Sequence, residues 1–289
     1  MNVWLQAARP RTLTTSVAPV AVGTACAYAD GGVAWGAAIA ALLGAFAIQI
    51  GTNFANDAFD ADRGADGPDR LGPPRAVAQG WITSRAMKLA MAIAFACATA
   101  CGIYLVSVAG WPVVAIGLAS IASGIAYTGG PFPLAYHGLG DVFVLAFFGV
   151  IATAGTTLVQ RGHIDSLAIV SGTAIGALAT AVLVVNNVRD RAGDARAGKR
   201  TLAVRLGRRG ALIEYVLLVA AAYAIAGALA IARGPWLLLP LLTLPLGISR
   251  IRALLRAIDG PSHNRCLAAT AQLVLAFGLS LAAGIVLSG

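Results

Sequence analysis

The feature that most limits what this chain can fold into is a series of long apolar runs, each about as long as a bilayer is thick. Residues 86–108, AMKLAMAIAFACATACGIYLVSV, carry a single charge, Lys88, and residues 166–188 carry none. A helix needs about 20 mainly apolar residues, at 1.5 Å rise each, to cross a membrane. On that basis nine spans are expected, roughly at 12–29, 34–55, 86–108, 111–128, 140–160, 166–188, 211–232, 235–249 and 267–288. None has the polar face that a helix on a soluble protein would show. The eighth is short and holds Pro235, Pro240 and Pro245, which membrane helices tolerate where neighbours satisfy the freed carbonyls.

Composition closes off the soluble alternative. Of the 289 residues 11% are charged and 58% hydrophobic, whereas soluble domains carry about 25% charged residues. So little polar surface cannot clothe a water-exposed exterior. One all-α membrane domain over residues 1–289 is expected, with the lipid bilayer as its main partner. The net charge of +9 would suit nucleic acid in a soluble protein. Here the positive-inside rule accounts for it, and neither nucleic acid nor an obligate protein partner is expected. Cys26, Cys97, Cys101 and Cys266 sit in or beside apolar runs and read as packing residues. The basic residues before the first run resemble a signal peptide, but no cleavage site follows, so a retained helix is expected.

Loop charge sets the topology. With the N-terminus inside, all but Arg161 and Arg233 of the 21 Lys and Arg residues fall on the inner side. Removing the eighth span would put Arg250, Arg252, Arg256 and Arg265 outside. The long connections, 56–85, 189–210 and 250–266, are all inner, and function is expected on that face. His163 and His263 fall in connections and read as surface residues. Gly172 and Gly176 form a small-xxx-small pair suited to close helix packing.

Against this background residues 53–70, NFANDAFDADRGADGPDR, gather Asp57, Asp60, Asp62, Asp66 and Asp69 out of 12 acidic side chains in all. Asp57 and Asp60 share a helix face, with Asn53 and Asn56 a turn earlier. A charge at mid-membrane costs about 2.5–3.5 kcal/mol on the insertion scale. The cluster therefore belongs at a watered helix end, with a cation to neutralise it. Oxygen-only ligands suit magnesium, which takes one or two carboxylates, keeps several waters and bridges to phosphates. A second stretch, VVNNVRDRAGDARAGKRTLAVRLGRR from Val184, repeats the pattern with Asn186, Asn187, Asp190 and Asp194. An even number of spans separates the two, so both open on one side. Paired aspartates facing each other across a cavity would hold Mg2+ against a diphosphate, with Arg75, Lys199 and Arg205 meeting the remaining anionic oxygens. A diphosphate met inside a membrane is expected to carry a hydrocarbon tail.

Four stretches in order carry a resemblance: ARPRTLTTSVAPVAVGTA from Ala8, NFANDAFDADRGADGPDRLGPPRAVAQGWIT from Asn53, YTGGPFPLAYHGLGD from Tyr127 and NNVRDRAGDARAGKRTLAVRLG from Asn186. Together they resemble the UbiA superfamily of intramembrane aromatic prenyltransferases, over nearly the whole chain. The likeness is strongest to the branch that acts on 1,4-dihydroxy-2-naphthoate in menaquinone synthesis. It implies a UbiA-like bundle of nine helices in the inner membrane, with its cavity open to the cytoplasm. The implied reaction takes polyprenyl diphosphate and dihydroxynaphthoate with Mg2+, and yields demethylmenaquinone, pyrophosphate and CO2. Carried over by position, Asp57, Asp60, Asp190 and Asp194 are the catalytic, magnesium-binding core. Asn53, Asn56, Asp66, Arg75, Asn187 and Lys199 contact substrate, with Arg11, Tyr127 and Tyr136 as further contacts. Gly64 stands where many members have an aspartate, and the acid comes later at Asp66, as in the naphthoate branch. Asp62 is extra, and His137 stands where Asn is frequent; Asp62 and Asp69 also read as solvated loop acids. Prenyl transfer to 4-hydroxybenzoate or homogentisate, and secondary transport, are the alternatives.

Overall fold

The computed structural model describes residues 2–65, 67 and 70–289. The expected contacts Asp66 and Asp69 lie outside the described residues, as does the side chain of Arg11.

A short α1 (Val3–Ala8) meets α2 (Pro10–Ala29) at Arg9, which turns the chain in the left-handed region (φ 55°). Arg9 is the one non-glycine residue with positive φ among those described, a conformation that costs energy and is concentrated at functional sites. Then follow α3 (Trp35–Asp62), α4 (Ser84–Ala109) and α5 (Pro112–Ala126). The next stretch, Gly140–Arg161, runs from α6 (Gly140–Val144) through a π-helical turn (Leu145–Ile151) into α7 (Ala152–Arg161). It is followed by α8 (Ser166–Arg196) and α9 (Leu202–Arg233). A 3-10 stretch, Pro235–Thr243, leads into α10 (Leu244–Arg256), and α11 (Gly260–Ser288) ends the chain. No strand occurs among the described residues.

Each of the nine expected stretches is helical. Seven of the helical segments are long and apolar enough to cross a membrane, and the chain is a multi-pass membrane protein. The other two are α2, whose first turns carry Thr12, Thr14, Thr15 and Ser16, and α5, which has only 15 residues. Large apolar side chains on the outside fit a lipid solvent: Ile231 is 92% exposed and Leu242 76%.

The helices outlast their apolar portions, and this corrects the expected loops. α3 continues through Asp57, Asp60 and Asp62, and α8 through Asp190 and Asp194, because hydropathy marks only the lipid-facing part of a helix. The Asp259–Ser262 capping box starts α11 at Gly260 rather than 267. His263 is consequently buried within the first turns of α11, with Nδ1 2.7 Å from the Asp259 carbonyl, and is not a surface residue. Gly207 (φ 69°, ψ 177°) breaks α9 near the start of the seventh apolar run.

At the centre is α8, apolar on every side and buried over most of its length, as expected for a helix enclosed by others. Its core neighbours are Val22 of α2, Tyr215 and Val219 of α9, and Phe277 and Leu281 of α11. Without a hydrophobic drive between helices in lipid, close approach and hydrogen bonds hold the bundle. Gly172 and Gly176 supply the approach: a Cβ on Gly149 would strike the Gly172 carbonyl and the Gly176 backbone. Tyr215 and Thr270, and Tyr223 and Thr243, join hydroxyls at 2.9 Å, contacts worth about 0.6 kcal/mol each in a membrane.

Candidate functional site

The C-terminal ends of α3 and α8 meet at one end of the bundle, where the segment 70–83, the turn 127–139 and the segment 197–201 also gather. A cavity of about 360 Å³ opens there. Its polar end is lined by Asn53, Asn56, Asp60, Arg75, Tyr127, Asn186, Asn187 and Lys199, and Arg9 also faces it. Its deeper wall is apolar, with Ile48, Leu105, Val113, Ile116 and Val159, and Phe143, Phe147 and Phe148 from α6 and the π turn.

Asp60 is the hub of this end, and only 2% of it is exposed. The Tyr136 hydroxyl donates to its Oδ1 at 3.0 Å, and Oδ2 lies 3.6 Å from both Arg75 Nη2 and Lys199 Nζ. A carboxylate so deeply buried is stable only with such partners. Burial, together with the adjacent Asp60 charge, raises the Tyr136 hydroxyl above its ordinary value, so it remains a donor. The Tyr136 ring also lies under two cations, Arg63 at 5.1 Å and Lys199 at 5.4 Å. Arg63 donates to the Thr128 carbonyl and, at 2.6 Å, to that of Gly130, tying the turn to α3.

Asp57, one turn back, plays another part. Its two oxygens accept the backbone amides of Ala76 and Val77 at 3.1 and 2.9 Å. It thereby anchors the segment that delivers Arg75. Asn53 donates to the Ala8 carbonyl at 3.0 Å, and Asn56 accepts from Thr128 at 2.9 Å. Both asparagines therefore brace the cavity mouth.

On α8, Asp190 is gripped bidentately by Arg189, with Nε and Nη2 at 2.8 and 2.6 Å, and Arg70 lies 3.9 Å away. Arg189, 5% exposed, also donates to Asn186 and Asn264 at 2.7 Å each. Asp194 lies half-buried one turn on, and its carbonyl accepts the Lys199 amide at 2.8 Å.

The expected residues are thus brought to one end, but not into one cluster. Asp60, Arg75, Lys199 and Tyr136 are in direct contact, while Asp57 and Asp190 each hold separate partners. Among the described residues no three His, Cys, Asp or Glu side chains stand together as a metal cage. The donor chemistry still fits a hard cation. A carboxylate offers about four lone-pair sites, so Asp57, with two in use, and Asp60 both retain acceptor capacity. Asn56 and Asn187 add amide oxygens, and magnesium keeps several waters between itself and protein.

Other residues fall outside the cavity wall. Asp62 accepts from Ser84 at 2.8 Å and pairs with Lys88 at 2.7 Å, joining α3 to α4. His137 stacks on Phe132 at 3.6 Å, and its carbonyl accepts from Arg205 at 2.8 Å. Arg205 thus serves the turn rather than the cavity. Sequence reading missed Arg63 and Arg189 as site residues. For Arg189 a signal was present in Asn186, three positions earlier.

A helical membrane bundle with carboxylates and cations around the mouth of an apolar cavity defines a class: enzymes that bring an anionic head group and a hydrocarbon tail together inside the bilayer. The family model for UbiA prenyltransferases matches residues 16–286, and the chain belongs to this family. Among its relatives is the 1,4-dihydroxy-2-naphthoate octaprenyltransferase of Mycobacterium tuberculosis, 39% identical over 85% of this chain and 83% of that protein. The Escherichia coli protein of that name is 36% identical over 99% of this chain and 96% of its own. A UbiA homologue from Archaeoglobus fulgidus, solved with GPP and Mg2+, has a TM-score of 0.66 at 16% identity, covering 97% of this chain and 99% of that one. That likeness establishes the all-helical UbiA fold.

Proposed function

We propose that this chain transfers a polyprenyl group from a polyprenyl diphosphate to 1,4-dihydroxy-2-naphthoate. The products are pyrophosphate, CO2 and demethylmenaquinol, the quinol that a separate oxidation converts to demethylmenaquinone. One observation carries the reading: a cavity with Asp60, Arg75 and Lys199 at its mouth and apolar walls behind them. Such a site suits a molecule that is a diphosphate at one end and a hydrocarbon at the other. The names of the relatives in Mycobacterium tuberculosis and Escherichia coli support the naphthoate as acceptor.

In this reading Arg75 and Lys199 bind diphosphate oxygens through charge-assisted hydrogen bonds. Asp57, Asp60, Asp190 and Asp194 hold magnesium, assisted by Asn53, Asn56 and Asn187. Bound magnesium would offset the diphosphate charge and so stabilise departing pyrophosphate. Asp57 keeps Arg75 in place through the Ala76 and Val77 amides, and Tyr136 orients Asp60. Tyr127, Asp66 and Arg11 complete the substrate contacts. The apolar wall from Phe143 to Phe148 excludes water, so that the allylic carbon is captured by the aromatic ring rather than by water.

The whole chain forms one domain in the inner membrane, crossing it nine times with the N-terminus and the cavity mouth in the cytoplasm. The crowding of basic residues at the mouth end, against Arg161 and Arg233 at the other, supports this orientation. The test is an acceptor panel. Purified protein receives one isotope-labelled polyprenyl diphosphate and, in turn, dihydroxynaphthoate, 4-hydroxybenzoate and homogentisate, with products read by mass spectrometry. Prenylated, decarboxylated naphthoquinol is the expected product. Preference for another acceptor would overturn the assignment, and no product with any acceptor would favour transport.

A further inference from the structure

Deeper than the charged mouth, the cavity has a second polar band that neither diphosphate nor hydrocarbon explains. It is made by Thr12, Thr15 and Ser16 of α2 and Gln49 of α3, all of which line the cavity. Gln49 lies four residues before Asn53 on one α3 face, and about 16 Å along the helix axis from Asp60. That distance separates the band from the diphosphate end.

The band's hydrogen bonds have a direction. Gln49 Nε2 donates to the Thr12 carbonyl at 2.8 Å and to Thr15 Oγ1 at 3.3 Å. Ser16 Oγ donates to Gln49 Oε1. Thr15 Oγ1 donates to the Thr12 carbonyl at 2.6 Å, and Thr12 Oγ1 to the Arg9 carbonyl at 3.0 Å. Every hydroxyl proton in the band is therefore spent on protein. A hydroxyl oxygen has two lone pairs besides its proton, so what Ser16 and Thr15 still offer is acceptor capacity. Each already has a protein partner, and a hydrocarbon tail would leave the remaining acceptor capacity of Ser16 unused. A phosphate or carboxylate oxygen brings only further lone pairs. A ligand O–H, which donates, is the complement.

We propose that this band receives a ring hydroxyl of the aromatic acceptor, with Ser16 Oγ as the accepting atom and Gln49 holding it in orientation. This rests on the prenyl-transfer reading and adds to it the subsite that selects a hydroxylated ring. The rings of Phe143 and Phe147, with centroids 5.8 Å apart and planes 7° from parallel, line the same cavity and suit a planar aromatic ligand.

The experiment is direct binding to the purified, detergent-solubilised protein, independent of turnover, with 4-hydroxy-2-naphthoate, whose hydroxyl cannot reach its own carboxylate, and 2-naphthoate as probes. The unaltered protein should hold the hydroxylated probe about tenfold more tightly, the factor one hydrogen bond supplies. In Ser16→Ala that ratio should fall to about one, while affinity for the polyprenyl diphosphate and the unfolding temperature stay unchanged. Gln49→Leu should abolish the ratio as well. An unchanged ratio in Ser16→Ala would overturn the proposal, as would equal weakening of both probes and the diphosphate, which marks the network as a mere tie between α2 and α3. Failure of the prenyl-transfer reading is separately visible: it removes product from the unaltered protein without touching the ratio.

Discussion

At the scale of single residues, Asp60 ties Tyr136, Arg75 and Lys199 together at the cavity mouth, and its removal is the sharpest probe. Asp60→Asn leaves Arg75 and Lys199 without the charge they share. Turnover should fall at least about 100-fold, the scale of losing a principal electrostatic group, with circular dichroism unchanged. Tyr136→Phe removes one donor to Asp60 while keeping the ring under Arg63 and Lys199. About tenfold loss is expected, from roughly 1 kcal/mol per hydrogen bond, measured as steady-state kcat/KM. Asp57→Ala should also abolish turnover, by releasing the Ala76 and Val77 amides and with them Arg75. The sequence made these carboxylates visible because charge in an apolar chain demands a reason. It also put Asn53, Asn56, Arg75, Asn187, Lys199 and Tyr127 in the set that lines the cavity. Partner choice stayed hidden. Nothing local says that Asp57 binds backbone amides while Asp60 binds side chains, since both choices are made by segments distant in sequence. The grip of Arg189 on Asp190 was equally concealed, because adjacent helical residues do not ordinarily face each other.

At the scale of elements, α8 crosses the π turn at a close backbone approach. Gly149→Ala places a methyl against the backbone of Gly172 and Gly176. It should destabilise the protein by about 1–3 kcal/mol, seen as a lower midpoint in thermal unfolding in detergent. Gly117→Ala, inside α5 where an added Cβ meets nothing within 4 Å, is the control and should not lower the midpoint, and should raise it slightly through helix propensity. The Gly172/Gly176 spacing announced close packing, and Gly149 as the partner emerged only from the fold. The same division holds for helix ends. All nine expected apolar runs are helical, yet they missed the polar turns of α3 and α8 that carry Asp57, Asp60, Asp190 and Asp194 beyond the lipid-facing part. A hydropathy pattern reports what a helix shows to lipid and is silent about its extension into a watered cavity. α2 shows the converse: Thr12, Thr15 and Ser16 lower its hydropathy because they face the cavity rather than lipid.

For the whole molecule, the fold sets one charged mouth against an apolar interior and leaves Arg161 and Arg233 at the opposite end. With the four native cysteines replaced, a membrane-impermeant thiol reagent applied to intact cells should label His163→Cys, whereas Gln79→Cys, in the segment beside the mouth, should react only after the membrane is opened. The reverse pattern would invert the topology. The central claim is that the mouth acts on a diphosphate through a divalent cation, and its most direct measurement is product formation under metal control. Purified protein with polyprenyl diphosphate and dihydroxynaphthoate should form no demethylmenaquinol in EDTA and regain full rate when Mg2+ is added in excess. An undiminished rate in EDTA would contradict the account.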